Sequence, residues 1–92
     1  ATVSHIYHGT AGVVLFYLEL FNSTKNRGYL EEAKEGANYL IEALPDTIPS
    51  HWTVGLYTGL AGVAFTLDKT YQATQQKIYR EQAFSCIDLI ER

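Results

Sequence analysis

Residues 7–13 read Tyr7-His8-Gly9-Thr10-Ala11-Gly12-Val13, and residues 57–63 read Tyr57-Thr58-Gly59-Leu60-Ala61-Gly62-Val63. The pattern Tyr-x-Gly-x-Ala-Gly-Val therefore occurs twice, at an offset of fifty. The likeness runs on without a gap, pairing residues 7–42 with 57–92 through Thr24/Thr74, Tyr29/Tyr79, Glu31/Glu81 and Ala33/Ala83. Other pairs keep their character, such as Phe21/Tyr71, Leu40/Ile90 and Asn38/Asp88. A unit recurring at this period, with two helical patterns per copy, marks a repeat architecture in which one unit cannot bury its own apolar face.

Each copy reads as a helical hairpin. Ala1–Ile6, with Thr2, Val3 and Ser4, lacks helical periodicity and is expected to be an arriving loop. The first helix is predicted from Gly9 or Thr10, with Thr10 as N-cap, to about Ser23. Glu19 is the only charge between Val13 and Phe21. Val14, Tyr17, Leu18 and Phe21 form one apolar stripe, and Val13, Phe16 and Leu20 a second, so this helix belongs in an inner layer packed on several sides. The short link Lys25-Asn26-Arg27-Gly28 forces an antiparallel neighbour.

That second helix is predicted from Tyr29 to Ala43, burying Tyr29, Ala33, Ala37, Leu40 and Leu44 and turning an acidic face to water, as an outer layer does. Pro45, Asp46 and Pro49 end it and open a loop in which the lone Trp52 packs back onto helix ends. In the second copy the helices run from about Leu60 to Thr74, burying Leu60, Ala64, Leu67 and Tyr71, and from Ile78 to Glu91, burying Tyr79, Ala83, Ile87 and Ile90. The predicted fold is all-α: two antiparallel helical hairpins in one unit, 1–92, with repeat 1 at about 7–44, a linker at about 45–54 and repeat 2 at about 55–92.

Composition narrows the function. A net charge of −3 with scattered basic residues leaves no footprint for nucleic acid. The run Ala11–Phe21 is too short to span a bilayer. One cysteine, Cys86, makes no internal disulfide framework and supplies no thiolate zinc site alone; it reads as a buried structural thiol. With no signal-peptide pattern, a cytoplasmic setting is expected.

The glycines of the motif are expected at the N-terminal end of each inner helix. There Gly9, Gly12, Gly59 and Gly62 admit the close approach of a backbone or a ligand, and free N–H groups favour anions. Helix packing is the structural reading of the four. A phosphate loop is disfavoured, with no Gly-Lys-Ser/Thr and no preceding strand. His5 and His8, three apart, could share a helical face, but no third metal ligand has a reason to stand near them. Beside the inner-helix starts, His8, Thr58 and Tyr57 are the candidate substrate-facing residues. Glu31 and Glu81 read as solvated outer-face acids. No catalytic set and no metal site emerges.

The doubled motif, with Tyr29-Leu30-Glu31-Glu32-Ala33 and Tyr79-Arg80-Glu81-Gln82-Ala83 on the following helices, closely resembles the lanthionine synthetase C-like family. The resemblance implies a toroid of inner and outer helices, an α/α barrel of about seven such repeats, of which two form an arc. It also implies, for a full-length member, a zinc ion held by two cysteines and a histidine, activating a peptide cysteine for addition to a dehydroamino acid. In that family the ligands sit in later motifs of Gly-Trp-Cys-Tyr-Gly and Cys-His-Gly type. Here His8 precedes Gly9 as the family's ligand histidine precedes its glycine, but Tyr7 stands where a cysteine is needed, and the second copy has Thr58 in place of His8. On this resemblance the chain is scaffold without zinc ligands or cofactor of its own, inactive alone. Its partners would be a peptide substrate and either further repeats or a second copy, the last through Val13, Phe16, Leu20 and Phe65. The alternative is a non-catalytic helical-repeat module binding a peptide or protein. An α/α barrel acting on sugars would need paired carboxylates at inner-helix ends, and none stands there.

Overall fold

The computed structural model describes residues 2–44 and 54–91, with side chains described for 9–44 and 58–91. They form four helices and no strand: α1 (Thr2–Thr24), α2 (Arg27–Ala43), α3 (Val54–Thr74) and α4 (Lys77–Glu91). α1 pairs with α2 and α3 with α4 as antiparallel hairpins, and α1 and α3 pack side by side. The unit measures 43 × 25 × 17 Å, too thin to enclose any helix on all sides. The predicted linker, with Pro45, Pro49, His51 and Trp52, lies outside the described residues.

Both inner helices start earlier than the sequence suggests. α1 begins at Thr2, not at Gly9 or Thr10, and Ala1–Ile6 is not an arriving loop over its described part. α3 begins at Val54, not at Leu60. Nothing from Thr2 to His8 forbids a helix: there is no proline, and β-branched residues cost only a few tenths of a kcal/mol each. Thr10 is thus an interior residue and caps nothing.

The turns are shorter than predicted, two residues each, and share one design. Thr24 Oγ1 donates to Leu20 O at 2.7 Å and accepts from Asn26 N at 3.1 Å; Thr74 likewise bonds Thr70 O at 2.9 Å and Gln76 N at 3.2 Å. Lys25 and Gln75 take left-handed backbone, φ 58° and 61°, and each N–H closes the last turn onto Phe21 O or Tyr71 O at 2.7 Å. Asn26 then caps α2, its side chain accepting from Gly28 N at 2.9 Å, so Gly28 belongs to the helix rather than to the link.

The core runs through all four helices. α1 buries Ala11, Val14 and Leu18; α2 buries Leu30, Ala33, Ala37 and Leu40, with Tyr29 and Leu44 only half-buried. α3 buries Leu60, Val63, Ala64 and Leu67 together with Thr66 and Thr70. The threonines had no place in the predicted core, nor is Tyr71 more than half-buried. Their hydroxyls donate along their own helix, Thr66 to Gly62 O at 2.8 Å and Thr70 to Thr66 O at 2.9 Å, so no buried donor is left unmet. α4 buries Tyr79, Ala83, Cys86 and Leu89, whereas Ile87, predicted to be buried, is exposed and Ile90 is half-buried. α1 is likewise open on one flank: Val13 and Phe16 are exposed, contrary to a helix packed on several sides.

A close helix approach is made at a glycine outside the motif. A Cβ on Gly36 would lie 2.6 Å from Val14 Cγ2. In the second repeat the equivalent positions hold Cys86 and Ala64, both in the core, so the larger residue has changed sides. Gly36→Ala is expected to lower the unfolding free energy by about 1 kcal/mol, overpacking of ~1–3 kcal/mol outweighing a helix-propensity gain of ~1 kcal/mol. Adding Val14→Ala should recover most of the loss in urea denaturation. A Gly36→Ala chain more stable than the parent would contradict this packing.

Candidate functional site

The helices leave a groove between α1 and α3 on the side away from α2 and α4. It has a volume of about 680 Å³ and is lined by Gly12, Phe16 and Glu19 of α1 and Phe65, Lys69 and Gln72 of α3, among others. Phe16 and Phe65 are exposed apolar rings on its two banks. Lys69 Nζ sits 5.4 Å from the Phe65 ring centre, holding a cation beside the aromatic surface. Glu19 and Lys69 occupy the same repeat position, so the groove carries one charge of each sign. That pairing was the signal in the sequence: the lone charge of the first inner helix has an opposite counterpart in the second.

A second, smaller groove of about 330 Å³ lies between α3 and α4. Ala61, Phe65, Phe84 and Ile87 line it, with Asp68 and Arg80. Arg80 stands 5.7 Å from the Tyr71 ring and 5.5 Å from Phe84, bridging two aromatic faces.

His8 and Thr58 lie beyond the first turn of their helices, while Tyr57 falls in the first turn of α3. His8 lies in α1 and Tyr57 in α3, with side chains outside the described residues. Thr58 is exposed in α3, beyond its first turn. The motif glycines also sit within the helices, where the backbone N–H groups are engaged, so they offer an anion no free donors. Nor do most of them close the helices together. A Cβ on Gly9, Gly12 or Gly62 would meet nothing within 4 Å, while Gly59 is buried.

Among the described residues no three His, Cys, Asp or Glu converge to hold a metal ion, and no helix is long and apolar enough to cross a membrane. Cys86 is fully buried in the core, and burial pushes its thiol up to about 11. A thiol so placed stays protonated and unreactive at neutral pH. Tyr79 reaches across the repeats, donating its hydroxyl to Asn38 Oδ1 at 3.0 Å. Its ionisation is also pushed up, first by burial and then by Glu31, with the Asn38 bond opposing.

A family model described as lanthionine synthetase C-like protein matches residues 2–92. No curated protein and no solved structure matches the chain.

The thiol has a consequence for stability. The unfolded chain releases the Cys86 proton at about 9, the folded chain only near 11. Stability is therefore whole below pH 9 and falls as pH rises through that window, and the raised Tyr79 acts in the same direction. The urea midpoint of the parent is expected to drop between pH 8.5 and 10.5, and that of Cys86→Ala to drop less. Equal alkaline losses in both chains would contradict the assignment.

Proposed function

Because the chain belongs to the lanthionine synthetase C-like family, we propose that it serves as the helical scaffold of a lanthionine synthetase and supplies part of the wall against which a peptide substrate lies. The observation carrying this reading is the family match across residues 2–92, joined to a doubled hairpin with inner and outer helices.

In this reading the reaction adds a peptide cysteine thiol across the carbon–carbon double bond of a dehydroamino acid, forming one C–S bond. Zinc, when bound, would stabilise the thiolate. We assign its ligands to motifs other than those of this chain. The supporting observation is that Cys86, the one cysteine of the chain, is buried in the core and protonated. The work left to this chain is binding. Phe16 and Phe65 offer apolar surface to a substrate side chain, and Glu19 and Lys69 can each meet an opposite charge on a peptide. His8, Tyr57 and Thr58 are proposed as further peptide contacts.

The second reading, a peptide-binding module without catalysis, draws on the same groove: two aromatic rings and two charges with no nucleophile–base pair beside them. The two readings differ in what the parent protein does, not in what this groove holds.

The addition conserves mass, so it is followed by the loss of alkylatable thiol on a dehydrated test peptide. The 92-residue chain is expected to leave that thiol free and to retain no stoichiometric zinc after dialysis. It should still bind the peptide in fluorescence anisotropy, several-fold more weakly as Phe16→Ala. Thioether formation or one tightly held zinc per chain would overturn the scaffold assignment, and binding unchanged by Phe16→Ala would remove the groove from it.

A further inference from the structure

The groove between α1 and α3 has a charge pattern that narrows the kind of peptide it can take. Its two banks carry opposite charges, Glu19 on α1 and Lys69 on α3, and each bank also presents a ring, Phe16 and Phe65. All four side chains are exposed. Among the described residues no ion pair joins Glu19 to Lys69; the Lys69 ammonium lies 5.4 Å from the Phe65 ring centre instead. Both charges are therefore open to a ligand. Such a surface repels a polyanion at Glu19 and a polycation at Lys69. Its complement is a chain carrying both signs beside apolar groups, which is a property of polypeptides. The volume of about 680 Å³ lies in the range of ligand sites, about 300–1,000 Å³. A Cβ on Gly12, which also lines the groove, would meet nothing within 4 Å, so a ligand backbone has open space there.

Successive side chains of an extended chain point to opposite sides, with a period of two. With a bank on either side of the backbone, residues an odd number of positions apart face opposite banks, and residues an even number apart face the same one. We propose that this groove selects an extended peptide segment in which a basic and an acidic residue stand an odd number of positions apart, next to apolar residues. The base meets Glu19 on the α1 bank, the acid meets Lys69 on the α3 bank, and the apolar side chains lie on Phe16 and Phe65. Placed an even number apart, both charges point to one bank. One of them then faces a like charge, and the charge of the other bank goes unmatched. Exposed ion pairs are small and screened by salt, so the pattern sets a preference on top of the apolar contact. This inference rests on the groove's being a peptide site, the reading proposed above, and adds to it the sequence pattern of the bound segment.

Fluorescence anisotropy with labelled peptides of one composition tests it. Each peptide carries two adjacent leucines, one lysine and one glutamate in a glycine–serine background. The two sets differ only in whether lysine and glutamate stand an odd or an even number of positions apart. At low salt the parent chain is expected to bind the odd set roughly two- to fivefold more tightly, the worth of one exposed ion pair. The difference should shrink as salt rises. Glu19→Lys should abolish it and favour a peptide with two glutamates in its place. Adding Lys69→Glu puts opposite charges back on opposite banks and should restore the odd preference; circular dichroism establishes that both variants keep the fold. Equal binding of the two sets, by a chain that does bind them, overturns this pattern and leaves the groove a peptide site. So does an odd preference that survives Glu19→Lys. Binding of neither set overturns the peptide reading and this inference with it, and self-association abolished by the same reversals gives the groove to a second copy instead.

Discussion

The packing of α3 against α1 is the contact on which the rest depends. Each hairpin has one buried seam between its own helices, and such a seam in two short helices does little more than offset the entropy of ordering them. Docking α3 along α1 leaves Val63 and both threonines out of water, with Leu18 buried beside them. Each fully buried valine or leucine contributes roughly 1.5–3 kcal/mol. The hydroxyls at this contact would oppose it if they lost their partners. Instead Thr66 and Thr70 bond the preceding turn of their own helix, so the surface α3 offers is methyl groups. Tyr79 adds one polar tie between the outer helices through Asn38.

The two repeats keep the geometry while changing the residues that supply it. Val14 and Gly36 in the first repeat and Ala64 and Cys86 in the second hold equivalent places, with the bulk on opposite helices. Tyr79 is buried and bonds across the repeats, while its counterpart Tyr29 is half-buried and stacks on Tyr17 at 6.2 Å. Both turns rely on threonine and a left-handed non-glycine residue rather than on the glycine that Arg27-Gly28 seemed to provide. What has been kept is the backbone path and the total volume of the core.

The offset of fifty and the helical spacing made four helices, their pairing and the inner and outer layers readable in the chain. The helix starts were not, because Gly9 and Thr10 look like boundary residues, and interior glycine, at about 1 kcal/mol, is affordable only in a packed helix. The face of α4 was not readable either. Cys86 and Leu89 lie one position from Ile87 and Ile90, and two adjacent apolar stripes cannot be ranked without knowing what lies opposite. Of the candidate site, His8 and Thr58 lie past the first turns of helices that begin earlier than Gly9 and Leu60, and the groove residues Glu19 and Lys69 are visible only as an oppositely charged repeat pair.

The central claim is that the inner-helix contact makes two hairpins one cooperative unit. Native-state amide exchange measures this directly, by the opening free energy of each helix. The slowest amides of α1 and α3 are predicted to share a single opening free energy, with residues 63–70 among the most protected. Distinct values for the α1–α2 and α3–α4 hairpins, each stable without the other, would contradict the account.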